Sequence, residues 1–265
     1  MILVTGAGGF VGSHILHGCS NVLAAPSLRG ATEEDIKRII EENGVTAILH
    51  TAAVSDIGAC EKDPDTSYTA NVTLPVYLAR QARNIKLICF SSDQVYSGAK
   101  ETGPYTEDMA AAANVYASQK LEMEQRVLDI APEAVMLRAE WMYGYYQKKS
   151  NYFMNMLHAE DTVAFSTKQY RGVTYIKEVC EQMENALRLP GGVYNFGSET
   201  NVSMYEITRE FLAYIGKAVC VTDAPPRHNL WMCCEKARTN GVVFSSVIEG
   251  LRRCADDYAH LLCKK

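Results

Sequence analysis

The sequence predicts an α/β protein with a doubly wound parallel sheet and a smaller C-terminal lobe. Three observations lead to this prediction. A short apolar run beginning at Ile2 leads directly into a glycine-rich turn and an amphipathic segment. Apolar, β-branched runs then alternate with helical patterns of ten or more residues, as in sheets built from strand–helix–strand units. Finally, 265 residues are enough for a main domain with a smaller unit attached.

The glycine-rich turn carries Gly6, Gly9 and Gly12, spaced by three residues. A sharp turn at Gly6, close approach of the backbone to a pyrophosphate near Gly9, and tight helix–strand packing at Gly12 each favour glycine. The helix that follows begins with Phe10 and Val11. The free N–H groups of its first turn and its dipole attract phosphate. The turn therefore predicts a Rossmann-type dinucleotide site.

The segment after the second strand, predicted at residues 22–25, bears on which dinucleotide binds. NAD sites place Asp or Glu here for the ribose 2′-hydroxyl, whereas the 2′-phosphate of NADP calls for Arg. No acidic residue lies between positions 22 and 32, and the stretch contains Arg29. The sequence thus favours NADP over NAD. An ordinary solvated role for Arg29 stays open.

Two further predicted strands end in small or polar residues. The third leads into Ala52 and Ala53, and the fourth leads into Ser91 and Ser92. Ligands of open α/β sheets bind at the carboxyl ends of the strands, where small residues let a cofactor lie against the backbone. We therefore expect these positions to contact cofactor or substrate.

A long helix predicted over residues 111–130 contains Tyr116 and Lys120. Their i, i+4 spacing places the phenol and the amine on one face of the helix. An unperturbed phenol has a pKa near 10, so a neighbouring cation would make it a competent acid or base at neutral pH. The Ser92 hydroxyl, at the end of a strand, could hold a substrate oxygen beside Tyr116.

Composition argues against several other classes of protein. The formal net charge is −5, and no basic run is longer than the lysine pair at 148–149, so nucleic acid is not an expected partner. No apolar run approaches the roughly 18 residues of a membrane span. A strand starting at the second residue leaves no room for a signal peptide, and nine scattered cysteines suit a reducing compartment. We expect a cytoplasmic protein without a metal site.

Taken together, these motifs resemble the extended short-chain dehydrogenase/reductase family, and within it the dTDP-4-dehydrorhamnose reductase subfamily. The residues that carry the resemblance are Gly6, Gly9, Gly12, Ala52, Ala53, Asn71, Ser91, Ser92, Asp93, Tyr116, Lys120, Arg138, Trp141 and Gly144. The resemblance implies a reductase of a 4-keto-6-deoxy nucleotide sugar. It also implies cofactor contacts at the glycine turn and at Ala52, Ala53, Asn71 and Ser91.

The same resemblance assigns catalytic roles to three residues. Tyr116 would protonate the carbonyl oxygen as nicotinamide delivers hydride to the carbon. Lys120 would bind the nicotinamide ribose and lower the pKa of the phenol, and Ser92 would hydrogen-bond the developing alkoxide. Trp141 would lie against the apolar face of the sugar, although a buried structural role is the alternative.

The remainder of the chain is predicted to form the substrate-binding lobe. Residues 1–142, joined by 172–197, would form the dinucleotide-binding domain, while 143–171 and 198–265 would form the lobe. Arg171 and Arg227 are candidates for the substrate diphosphate, because a guanidinium group fits phosphate oxygens. Either could instead form a surface ion pair.

Two other functions stay open at this point. One is a nucleotide-sugar epimerase or dehydratase that holds NAD tightly. The other is a non-catalytic, cofactor-binding regulatory subunit like that of methionine adenosyltransferase. A homodimer is compatible with the sequence, which does not fix the oligomeric state.

Overall fold

The computed structural model describes residues 1–147 and 150–262. The lysine pair at 148–149 and positions 263–265 of the predicted lobe lie outside the described residues. The first part of the chain contains β1 (Ile2–Thr5), α1 (Phe10–Gly18), β2 (Val22–Ala24), α2 (Glu33–Glu42), β3 (Ala47–His50), α3 (Ile57–Lys62), α4 (Pro64–Tyr68), α5 (Leu74–Gln81), β4 (Lys86–Ser92), α6 (Val115–Ile130) and β5 (Val135–Ala139).

The second part has shorter elements. They are β6 (Trp141–Tyr143), α7 (Tyr152–Leu157), β7 (Thr162–Phe165), β8 (Val173–Tyr175), α8 (Ile176–Arg188), β9 (Gly192–Phe196), α9 (Met204–Tyr214), β10 (Cys220–Asp223), α10 (Glu235–Thr239), α11 (Val247–Asp257) and α12 (Ala259–Leu262). None of the helices in the described ranges combines the length and hydropathy needed to cross a lipid bilayer.

Six parallel strands form the main sheet in the order β2-β1-β3-β4-β5-β9, which confirms the predicted doubly wound fold. The direction of strand order reverses between β1 and β3, and such a switch point opens a crevice at the carboxyl ends of the two strands. The turn at residues 6–9 follows β1, and residues 51–53 follow β3. The topology therefore places the glycine turn in the expected crevice.

Of the two strands that follow residue 172, only one joins the main sheet. Strand β9 pairs with β5 as an additional parallel strand, whereas β8 pairs with β6 outside the sheet. Strands β7 and β10 form a second small pair. A single large apolar cluster joins one face of the sheet to these C-terminal elements. The division into two domains stays a prediction.

Two predicted helices have different bounds in the structure. In the sequence, Asp63 followed by Pro64 predicts the start of one helix that continues through residue 79. The structure instead has a π-helical turn at Thr69–Thr73, which includes the buried Asn71. The helix expected over 111–130 begins only at Val115, because the Asn114 side chain accepts a hydrogen bond from the Ala117 N–H at 2.8 Å and caps the helix there.

The C-terminal elements agree with their sequence signals in part. The sequence predicts that Ser203 caps a helix ending near residue 216, and in the structure Ser203 caps α9, forming a capping box with Glu206. The sequence also predicts one terminal helix over residues 244–262, which is instead divided into α11 and α12; α11 starts after a second capping box formed by Ser246 and Glu249. Serine followed three residues later by glutamate is a typical helix start, so this boundary was readable from the sequence.

Candidate active site

The glycines of the turn have two different functions: some allow close packing, and others line a cleft. Gly6 has a φ of 69°, and a Cβ atom there would lie 2.7 Å from the Ala52 backbone. A Cβ atom on Gly12 would lie 2.4 Å from the Gly6 carbonyl oxygen. Gly6 and Gly12 thus allow the turn, α1 and the end of β3 to pack closely. Gly8 and Gly9 line a cleft of about 660 Å³.

The N-terminus of α1 opens into the same cleft. Its N-cap residue is Gly9, which has no side chain to cap the helix, and the first turn contains no acidic residue. Phe10 and Val11 line the cleft, and the first N–H groups of a helix have no partner inside it. A Cβ atom on Gly8 would have no atom within 4 Å. The site therefore fits a pyrophosphate group bound by backbone N–H groups.

Ser92, Tyr116 and Lys120 come together in this cleft. Ser92 ends β4, while Tyr116 and Lys120 lie one turn apart on α6. The Lys120 Nζ atom donates a hydrogen bond to the Phe90 carbonyl oxygen at 2.9 Å and lies 5.8 Å from the Tyr116 ring centroid. All three side chains are buried. The predicted spacing on one helix face thus brings phenol, amine and hydroxyl to one wall.

Burial changes the acidity of both helix residues. It raises the pKa of Tyr116, and the nearby Ser92 hydroxyl acts in the opposite direction. Burial also lowers the pKa of Lys120 to about 8. The fully buried His50 lies nearby, and burial followed by the Lys120 charge lowers its pKa to about 3. The phenol therefore keeps its proton at neutral pH but is a weaker acid than a free phenol, and in this structure Lys120 does not lower its pKa as the resemblance implies.

A buried ion pair supports this wall from behind. Arg138 on β5 contacts Glu124 on α6 at 2.8 Å, and both side chains are 5% exposed. Glu124 also accepts a hydrogen bond from the Ser91 hydroxyl at 2.5 Å. The Ser91 hydroxyl is therefore engaged in joining β4 to α6.

The other side of the cleft contains charged and aromatic side chains. Arg171 contacts the buried Asp93 at 2.8 Å and lies over the Trp141 ring, 5.4 Å from its centroid. Asp93 also accepts a hydrogen bond from the Ser92 hydroxyl at 3.2 Å. Burial raises the pKa of Asp93, while Arg171 acts to lower it. A hydrogen-bonded path thus connects the catalytic wall to Arg171.

The predicted site residues separate into two groups. Those lining the cleft are Gly9, Phe10, Val11, Ala53, Ser91, Ser92, Tyr116, Lys120, Trp141 and Arg171, whereas Gly6, Gly12 and Ala52 pack behind it. Asn71 is completely buried, and its side chain contacts the Val54 backbone and Gln119. It positions the cleft wall and does not reach the cleft. Arg29 and Arg227 are exposed and lie outside the lining.

Among the lining residues to which sequence reasoning gave no role are Gly8, Asp93, Glu140 and Tyr146. Gly8 was visible as an additional glycine in the turn, outside the three-residue spacing. Asp93 stood inside a quoted motif. Nothing in the sequence indicates a role for Glu140 except its place beside Trp141. Tyr146 can be identified only from the structure, in which its ring makes an edge contact with Phe10 at a centroid distance of 5.1 Å.

Comparison with known proteins gives the chain a family. Residues 1–230 match the family described as RmlD substrate binding domain. Methionine adenosyltransferase 2 subunit beta of Xenopus tropicalis is 31% identical over 236 residues, covering 78% of this chain and 69% of that protein. A dTDP-4-dehydrorhamnose reductase of Mycobacterium tuberculosis is 34% identical over 154 residues, covering 54% of this chain and half (50%) of that protein.

Solved structures share the fold. A dTDP-4-dehydrorhamnose reductase from Clostridium acetobutylicum has a TM-score of 0.83 at 21% identity, covering 97% of this chain and 99% of that chain. A Thermus thermophilus UDP-glucose 4-epimerase in complex with NAD has a TM-score of 0.77 at 22% identity, covering 97% and 98%. With the family match covering most of its length, this chain belongs to the RmlD substrate binding domain family of extended short-chain dehydrogenase/reductase-like proteins.

Proposed function

We propose that this protein is an NAD(P)H-dependent reductase of a 4-keto-6-deoxy nucleotide sugar, with dTDP-4-dehydrorhamnose as its model substrate. One observation carries the proposal. Ser92, Tyr116 and Lys120 line the same cleft as the glycine turn and the uncapped start of α1. The names of the reductase relatives supply the substrate class.

The reaction divides between cofactor and protein. When bound, the nicotinamide supplies hydride for the carbonyl carbon. Tyr116 holds a proton on its phenol, because burial raises its pKa, and transfers that proton to the carbonyl oxygen. Lys120 uses one N–H for the Phe90 carbonyl, which leaves two to bind ribose hydroxyl groups.

The third residue needs a small rearrangement to act. In the structure, the Ser92 hydroxyl donates to Asp93 and accepts a hydrogen bond from the Gln94 N–H, each at 3.2 Å. To stabilise a developing alkoxide, the hydroxyl must turn its proton from Asp93 toward the substrate. The contact with Asp93 is long for a hydrogen bond donated by a hydroxyl, and the bond accepted from the Gln94 N–H can stay, so this reorientation breaks no strong interaction.

We propose NADP as the preferred cofactor. Arg29 is exposed in the acid-free segment after β2, and within the described residues its guanidinium group forms no hydrogen bond or ion pair. It is therefore free for a ribose 2′-phosphate. For the substrate, Trp141 and Arg171 form a stacked wall of the cleft. Arg227 has less support for a role in diphosphate binding, because it lies outside the lining.

The test is a spectroscopic assay with NADPH and dTDP-4-dehydrorhamnose. Tyr116→Phe should lower kcat by on the order of 10²–10⁴, because the proton donor is lost. The matched control is Tyr143→Phe, since Tyr143 is equally buried and its hydroxyl has no partner within the described residues. Arg29→Ala should raise KM for NADPH more than for NADH. Unchanged turnover in Tyr116→Phe would contradict the proposal.

A second candidate has its own observation. The methionine adenosyltransferase subunit aligns with a larger share of this chain than the reductase does, 78% against 54%. A cofactor-binding subunit of a synthetase would therefore also explain the fold. Co-purification with a methionine adenosyltransferase catalytic subunit, without NADPH consumption on any keto-sugar, would favour it. A homodimer is compatible with both candidates.

The proposed location is cytoplasmic. The eight cysteines within residues 1–147 and 150–262 are all free thiols: four are buried, three are partly buried, and Cys220 is exposed. Free thiols of both kinds persist in a reducing compartment. Fractionation of cells expressing the tagged chain would check this location.

A further inference from the structure

Two cysteine side chains lie together in a cavity that shares no lining residue with the candidate active site. Cys19 is the C-cap residue of α1, and Cys180 lies in the second turn of α8. Both line a cavity of about 390 Å³, and both are partly exposed. Since a water molecule takes about 30 Å³ of liquid volume, small reagents can reach both thiols through this cavity.

Helices α1 and α8 pack closely where the two thiols meet. The Cys19 Sγ atom donates a hydrogen bond to the Cys180 carbonyl oxygen at 3.5 Å. A Cβ atom on Gly18 would lie 3.0 Å from the Cys180 Cβ atom and 3.1 Å from its Sγ atom, so a larger residue at position 18 would push Cys180 away from α1. A disulfide requires two Cα atoms within about 7 Å of each other. Because the Cys19 sulfur already contacts the Cys180 backbone, the movement that the bond requires is a rotation of the two side chains.

The two thiols differ in acidity. The neighbouring Cys180 thiol lowers the pKa of Cys19, while burial and the Glu184 charge act in the opposite direction. The pKa of Cys180 is raised, first by the Cys19 thiol and then by burial. The thiolate is the form of cysteine that reacts with oxidants and disulfides. Cys19 is therefore suited to react first, and Cys180 is suited to react second.

We propose that Cys19 and Cys180 form a site of reversible oxidation, at which hydrogen peroxide converts the two thiols into a disulfide between α1 and α8. The first turn of α1 lines the cofactor cleft, so the bond would anchor the far end of that helix. Disulfides in a reducing compartment are usually transient, and a small dithiol would restore the two thiols. The proposal does not depend on the proposed reductase function.

The oxidation proceeds in two steps. The Cys19 thiolate attacks one oxygen of the peroxide and breaks the O–O bond, which leaves a sulfenic acid on Cys19. The hydroxide released takes up the proton that the thiol lost and becomes water. The Cys180 sulfur then displaces the hydroxyl group of the sulfenic acid, so that the S–S bond forms and a second water leaves with the Cys180 proton. The two thiols together lose two electrons, and the peroxide gains them.

Peptide mapping of the full-length protein tests this site. The reduced protein is treated with hydrogen peroxide, its remaining thiols are alkylated, and it is digested at acid pH, where thiol exchange is slow. We expect a peptide pair that joins Cys19 to Cys180 and is lighter by two hydrogen atoms than the two thiol peptides. The protein should lose two alkylatable thiols, and dithiothreitol should restore both.

Variants separate the roles of the two sulfurs. Cys180→Ser removes the second thiol, so the sulfenic acid on Cys19 should persist, add one oxygen atom to the mass and be captured by dimedone. Cys19→Ser should form no disulfide at Cys180. Cys220→Ser is the matched control, since Cys220 is an exposed thiol outside this cavity lining, and it should form the disulfide as wild type does.

Three results would overturn the proposal. One is that Cys19 and Cys180 both remain alkylatable after a dose of peroxide that oxidises Cys220. The second is a disulfide that joins either thiol to a different cysteine. The third is a Cys180→Ser protein in which Cys19 gives no dimedone adduct. None of these measurements uses NADPH or a sugar, so their failure would leave the proposed function untouched.

Discussion

The two ends of the cleft are built in different ways. At the cofactor end, Gly8, Gly9 and the start of α1 come from one short stretch and present backbone to the cleft. At the substrate end, Asp93, Glu140 and Arg171 come from three distant segments; the two carboxyl side chains are buried, and the Arg171 side chain is 21% exposed. One end depends on missing side chains, and the other depends on particular side chains being present.

This difference determines how each end responds to an added methyl group. At the cofactor end, the atoms that a new Cβ would meet belong to the backbone, which cannot move without displacing β1 or β3. At the substrate end, the atoms belong to one carboxyl group. A clash with backbone has no simple remedy, whereas a clash with a side chain can be relieved by shortening that side chain.

The largest effect is expected for Gly12→Ala. The new Cβ atom would lie 2.4 Å from the Gly6 carbonyl oxygen and 2.8 Å from its carbon, so the turn must open. We expect the free energy of unfolding to fall by roughly 3 kcal/mol, the upper range for overpacking. The melting temperature should fall by roughly 6–12 °C. Urea and thermal unfolding measure both quantities.

Gly8→Ala provides the control within the same turn. Its Cβ atom would have no atom within 4 Å, so stability should change by less than about 0.5 kcal/mol. Since Gly8 lines the cleft, the affinity for NADPH should fall instead. Equal losses of stability in the two variants would contradict the distinction between packing and lining glycines.

A smaller effect is expected for Gly172→Ala at the substrate end. The new Cβ atom would lie 1.9 Å from the Glu140 Oε1 atom, and the carboxyl group would have to leave its hydrogen bond with Thr174. We expect a loss of about 2 kcal/mol in the free energy of unfolding. In a Glu140→Ala background the same change should cost less by about 1 kcal/mol or more. Urea unfolding of the four proteins measures this coupling.

The matched control is Gly12→Ala, which clashes with backbone atoms, combined with Glu140→Ala. Gly12→Ala and Glu140→Ala share no contact, so their effects should add within about 0.5 kcal/mol. If Gly172→Ala and Glu140→Ala also proved additive, Gly172 would not be there to accommodate the carboxyl group, and the comparison between the two ends would fail.

The same contrast explains what the sequence could predict. The cofactor end was readable because strand, turn and helix are contiguous, and each glycine acts on its neighbours. Tyr116 and Lys120 were readable because i, i+4 spacing on a helix fixes their relative direction. Ser92 followed from its place at the end of a strand, once the sheet was known to be parallel.

The substrate end was not readable for a physical reason. Charged side chains are mostly exposed, so nothing in the local pattern indicates that Glu140 is buried. The pairing of Arg171 with Asp93 joins residues 78 positions apart, and only the tertiary fold specifies it. Asn71 was assigned to the cofactor, yet a π-helical turn directs it into the protein interior. Such turns leave no signature in apolar periodicity.

The smallest effects are expected from pH, and here the two ends differ in sign. Burial lowers the pKa of Lys120 from 10.5 to about 8. Between these values the unfolded chain binds a proton that the folded chain lacks, so Lys120 makes stability rise with pH. Burial raises the pKa of Glu140 above its ordinary 4.5. Above pH 4.5 the folded chain keeps a proton that the unfolded chain loses, so Glu140 makes stability fall as pH rises toward the shifted pKa.

Differences between variants isolate these two contributions from the other titrating groups. Urea unfolding of wild type and Lys120→Met should show that wild type gains stability relative to the variant as pH rises from 8 to 9, by on the order of 1 kcal/mol. Wild type should lose stability relative to Glu140→Gln as pH rises from 4.5. Lys37→Met, at an exposed position of α2, is the control and should follow wild type throughout. Parallel curves for Lys120→Met and wild type would mean that the amine stays charged in the folded protein and that water reaches it despite its burial.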